Sequence, residues 1–279
     1  MPLLSKKSNH MKNYLLLFCL LATTTIAQKS DRYFTTSDGV KLHYTVTGQG
    51  KPLVIFPGYT QSSANFEPNL EVIGKQFQVY CLDYRWHGLS EDPNYGVHIE
   101  RFAKDANEMI NDAKIGSFYL LAHSMGNTVA WSYFGLFGQK QVIKYILGDE
   151  APCLVTDPSW TSQEKEMYTG SATDKDLWTA WRMPKSQQQP PKNTRELMMA
   201  KLLTEHLGND WRDILPTIQV PTLALMAEKG TFNNQHLFDY FLKTIRNSEL
   251  KVIPNSGHGY YATNPKEFNE IVLNYFSSK

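Results

Sequence analysis

Cysteine is scarce in this chain, with three in 279 residues, too few for the disulfide-stapled scaffolds that small secreted domains use. A surplus of charge of one sign is also missing: 28 Lys and Arg stand against 27 Asp and Glu, a formal net charge of +1. Without a basic field there is nothing to hold nucleic-acid phosphates, which excludes nucleic-acid binding as the main function. No apolar run approaches the roughly 20 residues that span a bilayer as a helix. Neither H-E-x-x-H nor a Cys/His ligand spacing occurs, so the sequence offers no metal site. There is no internal repeat. What is present is 42% hydrophobic and 20% charged residues, the usage of a packed globular chain whose length fits one domain with an insertion.

The N-terminus stands apart from the rest. Lys6, Lys7 and Lys12 precede the apolar run Tyr14 to Ala22, and TTTIAQ follows with Thr25 and Ala27 placed three residues and one residue before a cut after Ala27. Charged, apolar and small-residue regions in that order predict a secretory signal peptide over residues 1–27, cleaved on export to the periplasm or the medium. Met11 offers a second, more compact start for the same signal. The bulky Phe18 before Cys19 argues against lipoprotein processing. Cleavage removes three Lys and no acid, leaving 25 basic against 27 acidic residues and a formal charge of −2.

Residues 28–279 alternate short β-type runs with helical stretches, the pattern of an α/β domain with a mostly parallel sheet. Strands are expected at Lys41 to Val46, Leu53 to Phe56, Val79 to Leu82, Phe118 to Ala122, Ile143 to Leu147, Thr222 to Ala227 and Leu250 to Ile253. The expected helices run from about Ile99 to Ala113, Asn127 to Phe137, Gln235 to Thr244 and Pro265 to Phe276, Pro265 suiting a first helical turn. From about residue 152 to 211 the alternation stops, and helical pieces surround a polar segment, KSQQQPPKN. An insertion of this length in an α/β enzyme usually covers the active site. It holds Trp160, Tyr168, Trp178, Trp181, Met183, Met198, Met199 and Trp211, most of them expected to pack the insertion down and some to line an apolar pocket.

The strongest chemical signal is FYLLAHSMGNTVAWSYFG, where an apolar strand runs through His123-Ser124-Met125-Gly126 straight into a helix. A serine on so sharp a turn needs small residues two positions either side, here Ala122 and Gly126, because the backbone is crowded there. The turn would present Ser124 Oγ to a cleft above a helix N-terminus, whose N–H groups favour developing negative charge. With these residues the chain resembles the α/β-hydrolase superfamily, Ala122 standing where G-x-S-x-G has its first glycine. The resemblance extends to LVIFPGYT, residues 53–60, similar to the family's strand and oxyanion loop with Pro57 in place of the usual His and Gly58 kept. It implies the backbone N–H groups of Tyr59 and Met125 as the oxyanion donors. CLDYRWHGLS, residues 81–90, resembles a structural turn of the family, which makes Asp83, Arg85 and His87 scaffold.

KVIPNSGHGYYATNP resembles the family's catalytic-histidine loop and places His258 in it, 134 residues after Ser124. The role implied is general base toward Ser124, then general acid toward the leaving group. His87, His98, His206 and His236 read as surface or loop residues, and His123 as local packing. For the third member of the triad the chain departs from the usual pattern: after TLALMAEKG the position aligned with the family's Asp is Gly230. Some relatives carry the acid at the end of the preceding strand, and counted from Val142 that position is Asp149. Asp149 is the favoured acid, followed by Glu150 and then Glu228. In the expected sheet Cys81 and Cys153 lie on strands several places apart, beyond the roughly 7 Å between α-carbons that a disulfide allows, so both are expected as buried thiols.

The resemblance, spanning about residues 31–279, implies an α/β-hydrolase fold with a helical cap at about 152–211. It also implies a serine hydrolase acting on an apolar acyl substrate and implies no cofactor. Serine at the turn argues against dehalogenases and epoxide hydrolases, which place Asp there. Cofactor-free haloperoxidases or perhydrolases share the same three residues and stay open, as do hydrolases of amides, lactones or carbon–carbon bonds, and a ligand-binding relative that has lost catalysis.

Overall fold

The computed structural model describes residues 29–173 and 190–278. The expected signal peptide and, in the insertion, Trp178, Trp181 and Met183 lie outside the described residues. Eight strands form one sheet: β1 (Lys29–Thr35), β2 (Lys41–Thr47), β3 (Lys51–Phe56), β4 (Phe77–Asp83), β5 (Phe118–His123), β6 (Val142–Gly148), β7 (Thr222–Ala227) and β8 (Ser248–Ile253). Their order is β1-β2-β4-β3-β5-β6-β7-β8. β2 pairs antiparallel with β1 and β4, and every later pairing is parallel. This is the α/β-hydrolase fold expected from the sequence. β1 was not among the expected strands: its burial pattern leaves most of its side chains exposed, so it carries no apolar alternation to read, and its pairing with β2 defines it.

The central strands read as continuous apolar runs because both faces of the sheet are covered. Val54 and Phe56 of β3 and Leu120 and Ala122 of β5 enter one core, while Leu53, Ile55, Tyr119 and Leu121 enter the other, the period-two alternation of a strand. The first core lies under α2 (Ile99–Asp112) and α3 (Met125–Phe137). The second lies under α1 (Glu67–Ile73) and the C-terminal helix Pro265–Ser277. Helix α2 buries Ile99, Phe102, Ala103, Ala106, Met109 and Ile110, the spacing of a single helical face. α1 is too short, at seven residues, for that spacing to stand out, and it too was not expected.

Between β6 and β7 the insertion forms α4 (Ser162–Thr169) and α5 (Thr194–Gly208). Met198, Leu202 and His206 make the buried face of α5, and Trp211 packs against Trp131 of α3 with ring centroids 6.3 Å apart. Trp160 and Tyr168 serve packing as well: the Arg212 guanidinium lies 4.5 Å from each ring centroid, a cation–π arrangement. Cys81 and Cys153 are both buried free thiols. Cys153 differs from expectation in position, sitting past the end of β6 in an isolated bridge to Asp210 rather than on a strand.

The turn after β4 is scaffold, as its resemblance implied, and it is built from buried charge. Asp83 accepts N–H bonds from Ser63 at 2.6 Å and Leu89 at 3.0 Å. Arg85, fully buried, donates from Nε and Nη2 to the two oxygens of Asp105 at 2.7 and 2.8 Å and reaches Asp38 at 3.2 Å. Removing one partner of a buried pair strands the other charge. Asp105→Ala is therefore expected to lower unfolding free energy by about 3 kcal/mol, the low end for such pairs because Arg85 keeps Asp38. Urea unfolding of the purified variant checks it, and a loss under 1 kcal/mol would contradict this account.

Candidate active site

The carboxyl ends of the parallel strands converge on one edge of the sheet, where α/β proteins place their ligands. β5 enters α3 through Ser124, whose φ of 53° and ψ of −132° put a non-glycine residue outside the ordinary regions. The strain persists because neighbours hold it. Ser124 N–H donates to the Gly148 carbonyl at 2.8 Å, and Asn127 Nδ2 donates to the carbonyls of Ser124 and Gly148 at 2.9 and 2.8 Å. Tyr145 Oη in turn donates to Asn127 Oδ1 at 2.6 Å. A Cβ on Gly126 would overlap the Phe56 carbonyl oxygen, which is the crowding the sequence pattern anticipated.

The loop after β3 lies directly against this turn. A Cβ on Gly58 would sit 2.8 Å from Ser124 Cβ, so only glycine lets the two backbones approach. Three of the four N–H groups of residues 58–61 are used within the protein. Gly58 donates to Gln61 Oε1 at 2.8 Å, Thr60 to His87 Nε2 at 3.2 Å and Gln61 to the Gly58 carbonyl at 3.1 Å. Among the described residues the Tyr59 N–H has no protein acceptor. Its side chain is held by the insertion, the phenol donating to the Met199 carbonyl of α5 at 3.1 Å. Met125, the other expected donor, is the buried first residue of α3.

His258 lies in the loop after β8, with 42% of its side chain exposed. Its Nδ1 is 2.7 Å from Oδ2 of Asp149, a fully buried residue at the end of β6. Asp149 Oδ1 accepts the Ala227 N–H at 3.0 Å, and its φ of 44° is a second strained backbone position at this edge. The other two carboxylates point elsewhere. Glu150 Oε1 accepts its neighbour Ala151 N–H at 2.9 Å and Oε2 lies 3.5 Å from His206 Nε2, while Glu228 accepts the Asn255 N–H at 2.6 Å. A Cβ on Gly230 would come within 3.1 Å of Asp149 Oδ2. The vacant later position and the occupied earlier one therefore address the same point in space.

His87 and His206 are both buried. His87 lies in the turn after β4, the loop and scaffold placement expected of it, whereas His206, expected at the surface or in a loop, is on the buried face of α5. His87 donates from Nδ1 to the Arg85 carbonyl at 2.9 Å, which leaves Nε2 to accept from the loop containing Tyr59. His206 comes down from α5, and burial with the nearby His258 holds its pKa down, to about 4. His123 and Gln61, which the sequence reading gave no role at the site, lie between its loops: His123 bonds the His258 carbonyl at 2.8 Å and Gln61 at 3.1 Å. No local sequence signal marks either, since each contact joins residues more than sixty positions apart.

Burial alone would depress the His258 pKa, but the hydrogen bond and charge of Asp149, with the charge of Glu150, outweigh it and raise the value above 6.5. The imidazolium is the form these neighbours favour. In an NMR titration the His258 ring is expected to titrate above 6.5, and Asp149→Asn to move it down. An unchanged His258 titration in that variant would show that Asp149 does not set it.

Comparison with known proteins agrees with this fold. Residues 51–178 match a family model described as alpha/beta hydrolase fold. The human serine hydrolase BPHL is 28% identical over 251 residues, covering 84% of this chain and 82% of that protein. A non-heme haloperoxidase of Rhodococcus erythropolis is 23% identical over 272 residues, covering 88% and 99%. Among solved structures, an esterase from Exiguobacterium antarcticum superposes with a TM-score of 0.68 at 23% identity, covering 88% of this chain and 99% of that one. Sheet order and the family match over residues 51–178 show the α/β-hydrolase fold, in a chain similar to a serine hydrolase and a haloperoxidase along most of their length.

Proposed function

We propose that the protein is an exported serine hydrolase that cleaves an ester or related acyl substrate through Ser124, His258 and Asp149. The observation that carries this reading is the 2.7 Å contact of His258 Nδ1 with buried Asp149, on the edge where Ser124 occupies a strained strand-to-helix turn. With Nδ1–H committed to Asp149, Nε2 is the nitrogen left to take the Ser124 proton. Ser124 Oγ attacks the acyl carbonyl, and the N–H groups of Tyr59 and Met125 receive the developing oxyanion. His258 then returns the proton to the leaving group, and water activated by the same imidazole releases the acid. That Tyr59 N–H has no acceptor among the described residues supports its part in this scheme.

Hydrolysis of p-nitrophenyl esters from acetate to dodecanoate is expected from the wild type and not from Ser124→Ala, with the chain-length optimum reporting the acyl pocket. Absence of Ser124-dependent turnover across the series, together with no reaction of Ser124 with an organophosphonate, would overturn the reading. Asp149→Asn is expected to lower kcat on the order of 10⁴-fold, by analogy with the protease triad, in a protein that still folds. Because the reaction needs neutral His258, activity should rise with pH through the raised His258 pKa. Gly230→Asp in an Asp149→Gly background is expected to recover part of the activity, since its Cβ faces the same site.

Relatives named haloperoxidases favour a second reading at the same residues: perhydrolysis, in which hydrogen peroxide in place of water releases a peracid. Ser124-dependent bromination of phenol red in acetate, bromide and peroxide would select it. Export rests on the N-terminal signal, and the N-terminus of the secreted protein is expected at Gln28.

A further inference from the structure

We propose that Gln61 and His123 are positioning residues that lock the Tyr59 loop and the His258 loop to one another across the Ser124 turn. The inference rests on the function proposed above. It starts from hydrogen-bond direction. The His258 carbonyl can only accept, so His123 Nε2, 2.8 Å away, must carry the proton. His123 is buried, and that burial together with the neighbouring His258 holds its pKa down, to about 3, so the ring is neutral and Nδ1 is a bare acceptor. Gln61 Nε2 at 3.1 Å is then the donor to it, although Gln61 Oε1 lies at 3.2 Å from the same nitrogen. This orientation leaves Oε1 to accept the Gly58 N–H at 2.8 Å. One tautomer and one amide orientation satisfy all three contacts.

The consequence concerns the reacting groups on either side. Gly58 is the residue before Tyr59, and its Cα faces Ser124 Cβ too closely for any side chain. The His258 carbonyl belongs to the residue whose ring meets Asp149. His123 itself adjoins Ser124 in the chain, and its ring lies 4.8 Å from that of His258 by centroids. The link therefore fixes the N–H that would receive the oxyanion and the base that would take the serine proton relative to the same backbone turn. Misplacement of reacting groups by about 1 Å can cost 10²-fold in rate.

Two variants of Gln61 test the link, since replacing fully buried His123 could prevent folding. Gln61→Met keeps the length and removes both hydrogen bonds. In it kcat on the best p-nitrophenyl ester and the rate of Ser124 labelling by a fluorophosphonate are expected to fall roughly tenfold or more, with KM within about twofold and thermal unfolding little changed. Gln61→Glu keeps the acceptor for Gly58 but sets a carboxylate oxygen against the His123 lone pair, which only a shared proton relieves. Its His123 ring is expected to titrate at higher pH in NMR spectra, and its pH–rate profile to gain an ionisation the wild type lacks. A pure packing role would give neither. A folded Gln61→Met that labels and turns over at wild-type rate, or a His123 titration unmoved in Gln61→Glu, would overturn the proposal. If wild-type Ser124 does not react at all, the underlying hydrolase reading fails, and the proposal with it.

Discussion

The site depends on how closely three backbones approach at the carboxyl end of β5. There the first turn of α3 lies against the end of β3, and only Gly126 leaves room for the Phe56 carbonyl. Gly58 does the same for the loop above Ser124. These approaches force Ser124 into a positive φ, and the hydrogen bonds of Asn127 and Gly148 hold it there. Strain of this kind, about 1–3 kcal/mol per residue, persists only where the surroundings over-determine it. A doubly covered sheet with two buried cores supplies such surroundings.

Support then spreads outward in layers of polar contacts. The turn after β4 is anchored by the buried Arg85–Asp105 pair, and through His87 it holds the Thr60 N–H. The insertion reaches the same loop from above, by the Tyr59 phenol on the Met199 carbonyl. Asp149 joins β6 to β7 through the Ala227 N–H while its other oxygen meets His258. Three loops that carry the candidate chemistry are thus tied to different strands yet to one another, which is what orients reacting groups without help from substrate.

How much of this could be read beforehand follows the range of the interactions involved. The Ser124 turn is local: small residues two places either side of a serine between an apolar strand and a helix declare it in a few letters. The six central strands and α2 declare themselves by apolar run or helical face. β1 and α1 were missed because one exposes most of its side chains and the other is too short to show a period. The burial of His87 and His206 is not legible in the sequence, because a polar letter in a polar segment carries no mark of it. Each is buried by a partner distant in sequence, the loop at Thr60 for one and Glu150 for the other.

The choice of acid shows where the division falls. By itself the sequence determined the fold class, the serine turn, the histidine loop and a short roster of carboxylates, since each is set by side-chain pattern within about ten residues. Only the tertiary structure shows which of Asp149, Glu150 and Glu228 meets His258, because adjacent residues leaving a strand point in different directions, and a hydrogen bond of 2.7 Å tolerates little error in direction. It alone also showed His123 and Gln61 between the loops, for those contacts exist only once β3, β5 and β8 end at the same edge of the sheet.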